Sequence, residues 1–168
     1  MKRSVLPVAA LLVAGAFGAG QASAQTSASA TANVSATVIG IAPLTATTVN
    51  DLDFGTVGPG VVVTVPPTNG ARFLITGEPS FAVTVSFVLP ASLAGPAGGT
   101  IPITFGNADG LLWAPFPTTF TTFNPNGAFA ANMDGFGNLE VGITGTVSPP
   151  GGTVSGVYTG TITVTVAY

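Results

Sequence analysis

The sequence contains no cysteine and no histidine, and only three of its 168 residues are basic. Without cysteine the chain forms no disulfide bond and no zinc–thiolate site. Without histidine it lacks the commonest general base, and without cysteine it lacks the best thiol nucleophile. The six carboxylates are scattered along the chain. The sequence therefore predicts a protein that is not an enzyme and that binds no cofactor.

Charge of either sign is rare, at 5% of the residues, and the basic residues are Lys2, Arg3 and Arg72. Nucleic-acid binding requires lysine and arginine side chains that neutralise phosphates, and this chain has none to spare. The same shortage excludes binding to an anionic membrane surface. The sequence therefore predicts no nucleic-acid partner and no electrostatic membrane partner.

The first 24 residues have the composition of a secretory signal peptide. Lys2 and Arg3 precede the apolar run Val5–Phe17, and Ala22–Ala24 has the small side chains of a cleavage site. The apolar run is too short and too broken for a membrane anchor, which needs about 20 unbroken apolar residues. We expect export to the periplasm, the cell surface or the medium, with no membrane insertion after cleavage. The remaining chain is expected to comprise an extension or first strand over 25–41 and a domain over 42–168.

A strict two-residue alternation follows the predicted cleavage site. Serine, threonine and asparagine occupy one set of positions, and small apolar residues occupy the other: Ala28, Ala30, Ala32, Val34, Ala36 and Val38. A period of two is typical of a strand with one buried face. A flexible linker rich in alanine, serine and threonine is the alternative. The strand interpretation predicts either an edge strand of the domain itself or a donor strand that adds to a neighbour's sheet.

Further short segments with strand-like composition are separated by glycine- and proline-rich turns. They are Asp51–Val57, Val61–Val65, Ala71–Thr76, Phe81–Leu89, Thr100–Phe105, Leu139–Val147 and Val157–Tyr168. Many short strands with frequent turns and no helix predict an all-β, immunoglobulin-like antiparallel β-sandwich. The residues expected to be buried between its sheets are Phe54, Phe81, Val83, Val85, Phe87, Tyr158, Ile162, Val164 and Val166.

An aromatic-rich insert interrupts this pattern over residues 106–138, and its prolines predict an irregular loop over 111–136. The aromatic side chains there are Trp113, Phe116, Phe120, Phe123, Phe129 and Phe136. Aromatic side chains on a long loop suit contact with a glycan or a protein. Large exposed aromatic patches are rare, however, so the same residues could instead fold over one open end of the sandwich. We favour the second interpretation.

Oxygen-bearing side chains cluster around two glycines between positions 132 and 140. They are Asn132, Asp134, Asn138 and Glu140. Their spacing does not match the twelve-residue calcium loop. Asn, Asp and Gly are also the usual residues of a turn before a strand. We therefore predict a turn rather than a metal site.

Three segments resemble a family of small secreted bacterial proteins, the domain of unknown function family 4402. These segments are Asp51–Gly55, Phe73–Gly77 followed by Phe81–Leu89, and Gly156–Tyr168. The resemblance extends over about Ala28–Tyr168, apart from the aromatic insert. That family resembles spore coat protein U and the pilin subunits of chaperone–usher systems.

The resemblance implies an immunoglobulin-like, pilin-like fold, export and a non-enzymatic structural role. The partners it implies are copies of the same chain, or a periplasmic chaperone and an outer-membrane usher. Our leading expectation is a subunit of a surface fibre or coat that assembles by strand addition. The alternative is a self-contained cell-surface, adhesin-like module that contacts glycan or protein through residues 111–136.

Overall fold

Short strands make up most of the regular structure in the computed structural model, which describes residues 29–38, 40–113 and 119–168. In chain order the strands are β1 (Thr45–Asn50), β2 (Val63–Thr64), β3 (Ala71–Thr76), β4 (Ala82–Val88), β5 (Ser92–Ala94), β6 (Thr100–Thr104), β7 (Gly110–Trp113), β8 (Phe120–Phe123), β9 (Phe129–Asn132), β10 (Asn138–Ile143), β11 (Thr146–Val147) and β12 (Thr163–Ala167). Single 3₁₀ turns lie at Pro67–Asn69 and Pro96–Gly98. No helix within the described ranges has the length and apolarity to cross a bilayer.

The strands form three antiparallel sheets. The largest has the order β1-β3-β10-β7-β8, the second β2-β11-β6-β5 and the third β12-β4-β9. β3 pairs along its whole length with β10, from Ala71 opposite Ile143 to Thr76 opposite Asn138. These non-local pairings hold together segments that are far apart in the chain, so the predicted all-β antiparallel sandwich is confirmed.

The main core lies between the first and third sheets. In β3 the side chains of Ala71, Phe73 and Ile75 are buried and alternate with half-exposed ones, as a strand with one inner face requires. The same cluster takes its remaining members from β4, β9, β10 and the residue after β9: Val83, Val85, Ala131, Met133, Leu139, Val141 and Ile143. The ring of Phe73 lies 6.1 Å from that of Phe87, which joins the two layers.

The predicted core is partly correct. Val83 and Val85 are buried, whereas Phe54, Phe87, Tyr158, Ile162, Val164 and Val166 are only half-buried. The prediction that Phe81 is buried is wrong, because 45% of its surface is exposed. It precedes β4 at one end of the sandwich and packs edge-on against Tyr168 instead of entering the core.

Two predicted strands are corrected by the structure. Asp51–Val57 follows the end of β1 and belongs to no sheet, and of Val157–Tyr168 only Thr163–Ala167 forms a strand. Conversely, the sequence pattern missed β1, all six of whose residues are exposed. Leu139–Val147 is divided between β10 and β11, because Thr144 and Gly145 leave the sheet. The prediction for Ala71–Thr76 matches β3.

Residues 29–38 belong to a unit separate from residues 39–168. They form no strand, and all of them are exposed. Whether the segment pairs with the chain's own sandwich or with a neighbour's sheet stays a prediction. The predicted signal peptide over 1–24, and Ala28, lie outside the described residues.

The aromatic-rich insert is not the irregular loop that its prolines suggested. It contains β7, β8 and β9, and β7 pairs with β10 in the largest sheet while β9 pairs with β4. These strands are held by partners far along the chain, which local composition does not reveal. Phe116 lies outside the described residues.

Candidate functional site

An open groove with a volume of about 570 Å³ runs along one side of the 39–168 unit. Residues 52–57 form one flank and residues 155–160 the other, and neither is a strand: Gly55 has a φ of +64°, and the chain bends at Thr56 and at Ser155–Gly156. Its floor consists of apolar side chains from β5, β6 and β11: Leu93, Ile101, Ile103 and Val147. Among the described residues that line the groove, Asp53 is the only charged one, so the groove is suited to an apolar occupant with few charges.

The flanks of the groove are strand-like in sequence but have almost no sheet partners. In residues 52–57 no backbone group bonds to another backbone group, and the N–H of Gly55 donates to the Asp53 carboxylate at 2.8 Å. On the opposite flank, Thr159 exchanges two 2.8 Å hydrogen bonds with Ala94, and this is an isolated bridge. Backbone N–H and C=O groups without sheet partners can form hydrogen bonds with an added strand.

The groove continues into a second gap of about 410 Å³ between β1 and the residues before β12. Thr48 and Asn50 line one side and Thr161 lines the other, while Leu52, Gly160 and Ile162 line both cavities. The far end of this seam is closed where the Tyr168 hydroxyl donates to the carbonyl oxygen of Ala42 at 2.6 Å. Pro59, Pro149 and Val154 line the other end of the groove, which we name its open end.

Tyr158 shapes one wall of the groove. A Cβ at Gly95 would lie 2.2 Å from the Tyr158 ring, so glycine is what lets the ring lie against this backbone. The Tyr158 hydroxyl donates to the carbonyl oxygen of Val154 at 2.9 Å, which ties the ring to the loop at the groove's open end. The wall is therefore fixed by contacts within the domain, and the groove is preformed.

The candidate strand-addition residues that the structure describes lie outside any sheet. Ala30, Ala32, Val34, Ala36 and Val38 are all exposed, Val34 to 95% and Val38 to 91%. Nearly all of the surface of these two valine side chains is exposed.

The aromatic residues of the insert are not brought together into one contact surface. Trp113 packs at 5.2 Å against Phe120, while Phe123 stacks at 3.8 Å on Phe129. Phe123 also packs at 6.1 Å against Phe87, which connects it to the core. Phe136 is 88% exposed and stands apart from these two pairs. Most of the described aromatic side chains are therefore occupied by packing.

Arg72 is the only basic side chain in the described residues, and it lies on the outer face of β3. Its guanidinium lies 4.5 Å from the centre of the Trp113 ring and pairs with Glu140 on β10. The Nε of Arg72 and the Nε1 of Trp113 are buried and have no hydrogen-bond partner. The positive charge of Arg72 is thus paired within the sheet and does not line the groove.

The candidate calcium ligands form a turn. The Asp134 carboxylate accepts hydrogen bonds from the N–H groups of Phe136 at 2.8 Å and Asn138 at 2.7 Å. These bonds, that of Asn138 foremost, lower the pKa of Asp134 below its usual value. No group of three or more acidic, histidine or cysteine side chains suited to a metal occurs in the described part of the chain. The predicted turn is confirmed.

Sequence reasoning missed the groove floor. Ile101 and Ile103 alternate with the exposed residues Thr100, Pro102 and Thr104 in β6, which is the signal of a buried face, but Val147 shows no such pattern. No model of a known protein family matches this chain, and no curated protein matches it.

Proposed function

We propose that this protein is a non-enzymatic, exported structural subunit of a surface fibre or coat that assembles by strand addition. The groove between residues 52–57 and 155–160 is the acceptor, and the alternating segment Ala28–Val38 of a second copy is the donor. The observation that carries this proposal is the groove itself, whose flanks form no strand and, apart from the Thr159–Ala94 bridge, have no sheet partners. An immunoglobulin-like, pilin-like sandwich with one strand position open is the fold that this role requires.

Length supports the pairing of donor and acceptor. A flank of six residues spans at most about 20 Å, and the eleven residues of Ala28–Val38 span about 36 Å when extended. The donor is thus long enough to fill both the groove and the continuing gap beside β1. No stretching of either partner is needed.

Side-chain size and charge also match. The donor places alanine and valine on one face and serine, threonine and asparagine on the other. Its apolar face meets the floor of Leu93, Ile101 and Val147, while its polar face stays in water. Residues 26–38 carry no charge, so insertion buries no ion.

The alternative role, an adhesin-like module acting through residues 111–136, has less support. Phe123 and Phe129 are half-buried in packed rings, and Trp113 is covered by Arg72 and Phe120. Phe136 is the one strongly exposed aromatic of the described insert. Copies of the same chain are therefore the partners we propose, with a periplasmic chaperone and an outer-membrane usher as assembly factors.

Deletion of residues 25–38 tests the proposal. We expect the truncated protein to form no multimers and to aggregate, because its groove stays open while no donor is present. Adding the peptide Ala28–Gly40 should restore solubility and raise the melting temperature in a saturable way. A peptide of the same composition with the two-residue alternation scrambled is the control. A truncated protein that melts and assembles like the full chain would show that the segment is only a linker.

A further inference from the structure

Most of the exposed large apolar side chains described for residues 40–168 lie at two opposite ends of the sandwich, and Val49, Val88 and Phe120 lie elsewhere. At one end lie Ile41, Phe81, Phe136 and Tyr168, which we name the exit surface. At the other end lie Val61, Val62, Val154 and Val157, which we name the mouth rim. Phe136 is 88% and Val157 81% exposed, so the described part of the chain covers little of either side chain.

Hydrogen bonds fix the residues of the exit surface at one end. Gly77 N–H donates to Gly137 O at 2.8 Å, and Ser80 N–H donates to Asp134 O at 2.9 Å, which joins the turn before Phe81 to the turn that carries Phe136. The ring of Tyr168 lies 6.0 Å from that of Phe81, edge to face. The Tyr168 hydroxyl also donates a hydrogen bond to the carbonyl oxygen of Ala42, a residue near the beginning of the sandwich domain.

The mouth rim surrounds the open end of the groove. Gly60 N–H donates to Pro149 O at 2.8 Å, which joins the loop carrying Val61 and Val62 to the loop that leads to Val154. Val154 and Val157 themselves line the groove. β10 begins at Asn138 at the exit end, and β11 ends at Val147, which lines the groove.

We infer that the exit surface of one copy docks on the mouth rim of the next copy, in a head-to-tail contact. The inference rests on the proposed strand addition, because it follows from the length of chain between donor and sandwich. Val38 is four residues from Ala42, so at most about 14 Å separates them. A donor inserted through the open end of a neighbour's groove therefore pulls its own exit surface against that neighbour's rim.

Charge is compatible with this contact. Residues 54–71 and 141–168, which include the whole rim, contain no charged side chain. At the exit surface the carboxylate of Glu78 accepts the N–H of Ala42 at 2.8 Å, and that of Asp134 is held by its own turn. The contact thus joins two apolar surfaces without like-charge repulsion. Because the surfaces differ, each copy keeps one of each free, and growth does not close into a dimer.

Disulfide trapping tests the contact, since the natural chain contains no cysteine. Full-length F136C and V154C proteins are mixed, allowed to assemble and oxidised. We expect disulfide-linked dimers from the mixture and none from either variant alone, because the exit surface meets the rim and not itself. V88C, an exposed valine on β4, is the control partner and should give no dimer with F136C.

A second measurement separates this inference from the proposed function. F136S should slow multimer formation about tenfold, as loss of a central aromatic contact does, while V88S leaves it unchanged. If F136S forms multimers at the natural rate and the mixture of F136C and V154C gives no disulfide-linked dimer, the head-to-tail contact is overturned but strand addition is left intact. A full-length natural protein that forms no multimers at all would overturn both. Dimers of F136C alone would show a head-to-head contact instead.

Discussion

The Tyr168 hydroxyl bridges two segments that are distant in sequence: it donates a 2.6 Å hydrogen bond to the carbonyl oxygen of Ala42 and accepts a 2.7 Å bond from the N–H of Glu78. The carboxylate of Glu78 in turn accepts the N–H of Ala42 at 2.8 Å. One phenol thus holds the beginning of the folded domain against the turn between β3 and β4, at the closed end of the groove.

Removal of this hydroxyl should loosen the closed end. We expect Y168F to lower the free energy of unfolding by about 1–2 kcal/mol, because two hydrogen bonds are lost. Amide exchange at Glu78 should accelerate, since its N–H loses its acceptor. Y158F, which loses the single bond to Val154, is the control and should leave exchange at Glu78 unchanged. Equal exchange at Glu78 in the natural protein and in Y168F would contradict the bridge.

Phe87 connects the core to the aromatic side chains of the insert. Its ring lies 6.1 Å from both Phe73 and Phe123. We expect F87A to cost about 3 kcal/mol in denaturant unfolding, the lower end of the range for phenylalanine, because the side chain is half-buried. T163A, on the exposed face of β12, should change the stability by less than about 0.5 kcal/mol. Similar losses in both variants would mean that the inner and outer faces of the third sheet are reversed.

Sequence periodicity predicted side-chain faces better than it predicted pairing. The alternation in Ala71–Thr76 and in Val83–Phe87 coincides with β3 and β4, because buried faces impose a period of two. Asp51–Val57 shows a similar pattern and yet forms no strand. Periodicity reports which side of a segment is apolar, whereas a strand also needs a neighbour that supplies hydrogen bonds. At the groove that neighbour is missing.

The reverse failure occurs at β1 and in the insert. Thr45–Asn50 is exposed throughout, so no apolar alternation marks it, and only its threonines and valine favour a strand. β7 and β9 belong to their sheets because they pair with β10 and β4, respectively. The groove could not be predicted from the sequence either, because its floor combines β5, β6 and β11 from distant parts of the chain.

Gly110 lies directly beneath the ring of Phe123. A Cβ at this position would lie 2.4 Å from the ring, and the ring is itself stacked on Phe129 and cannot move freely. We expect G110A to lower the free energy of unfolding by about 1–3 kcal/mol through overpacking. G135A is the matched control, because nothing lies within 4 Å of a Cβ there. Thermal unfolding of the two variants side by side measures the difference, and an unperturbed G110A would contradict this packing.

The turn at Asp134 should make the free energy of unfolding depend on pH in the acidic range. Hydrogen bonds from the N–H groups of Asn138 and Phe136 lower the pKa of Asp134 from 3.8 in the folded state. A depressed folded-state pKa adds stability that is present above pH 3.8 and is lost as the pH falls through the lower folded value. We expect D134N to lose less stability than the natural protein between pH 5 and about pH 2. D51N, an exposed carboxylate, is the control. Identical acid profiles for D134N and the natural protein would contradict the role of the charge.

The donor segment offers a test of which of its faces enters the groove. Val34 lies on the apolar face of the alternation, and Ser35 lies on the polar face. In the peptide Ala28–Gly40, V34E would bury a carboxylate against the apolar floor with no cation along the groove to pair with it. An unpaired buried charge costs several kcal/mol, so we expect the Kd for the truncated protein to rise at least about 100-fold.

S35E should change that Kd by less than about threefold, because its carboxylate stays in water and surface charges contribute little. Titration calorimetry with both peptides, at equal ionic strength, gives the comparison. Equal losses would mean that the peptide binds through its charge or composition and not as a strand. A larger loss for S35E than for V34E would place the serine face against the floor, which reverses the register. Either result would contradict insertion of the alanine–valine face, whereas selective loss in V34E supports the donor role on a measurement independent of multimer formation.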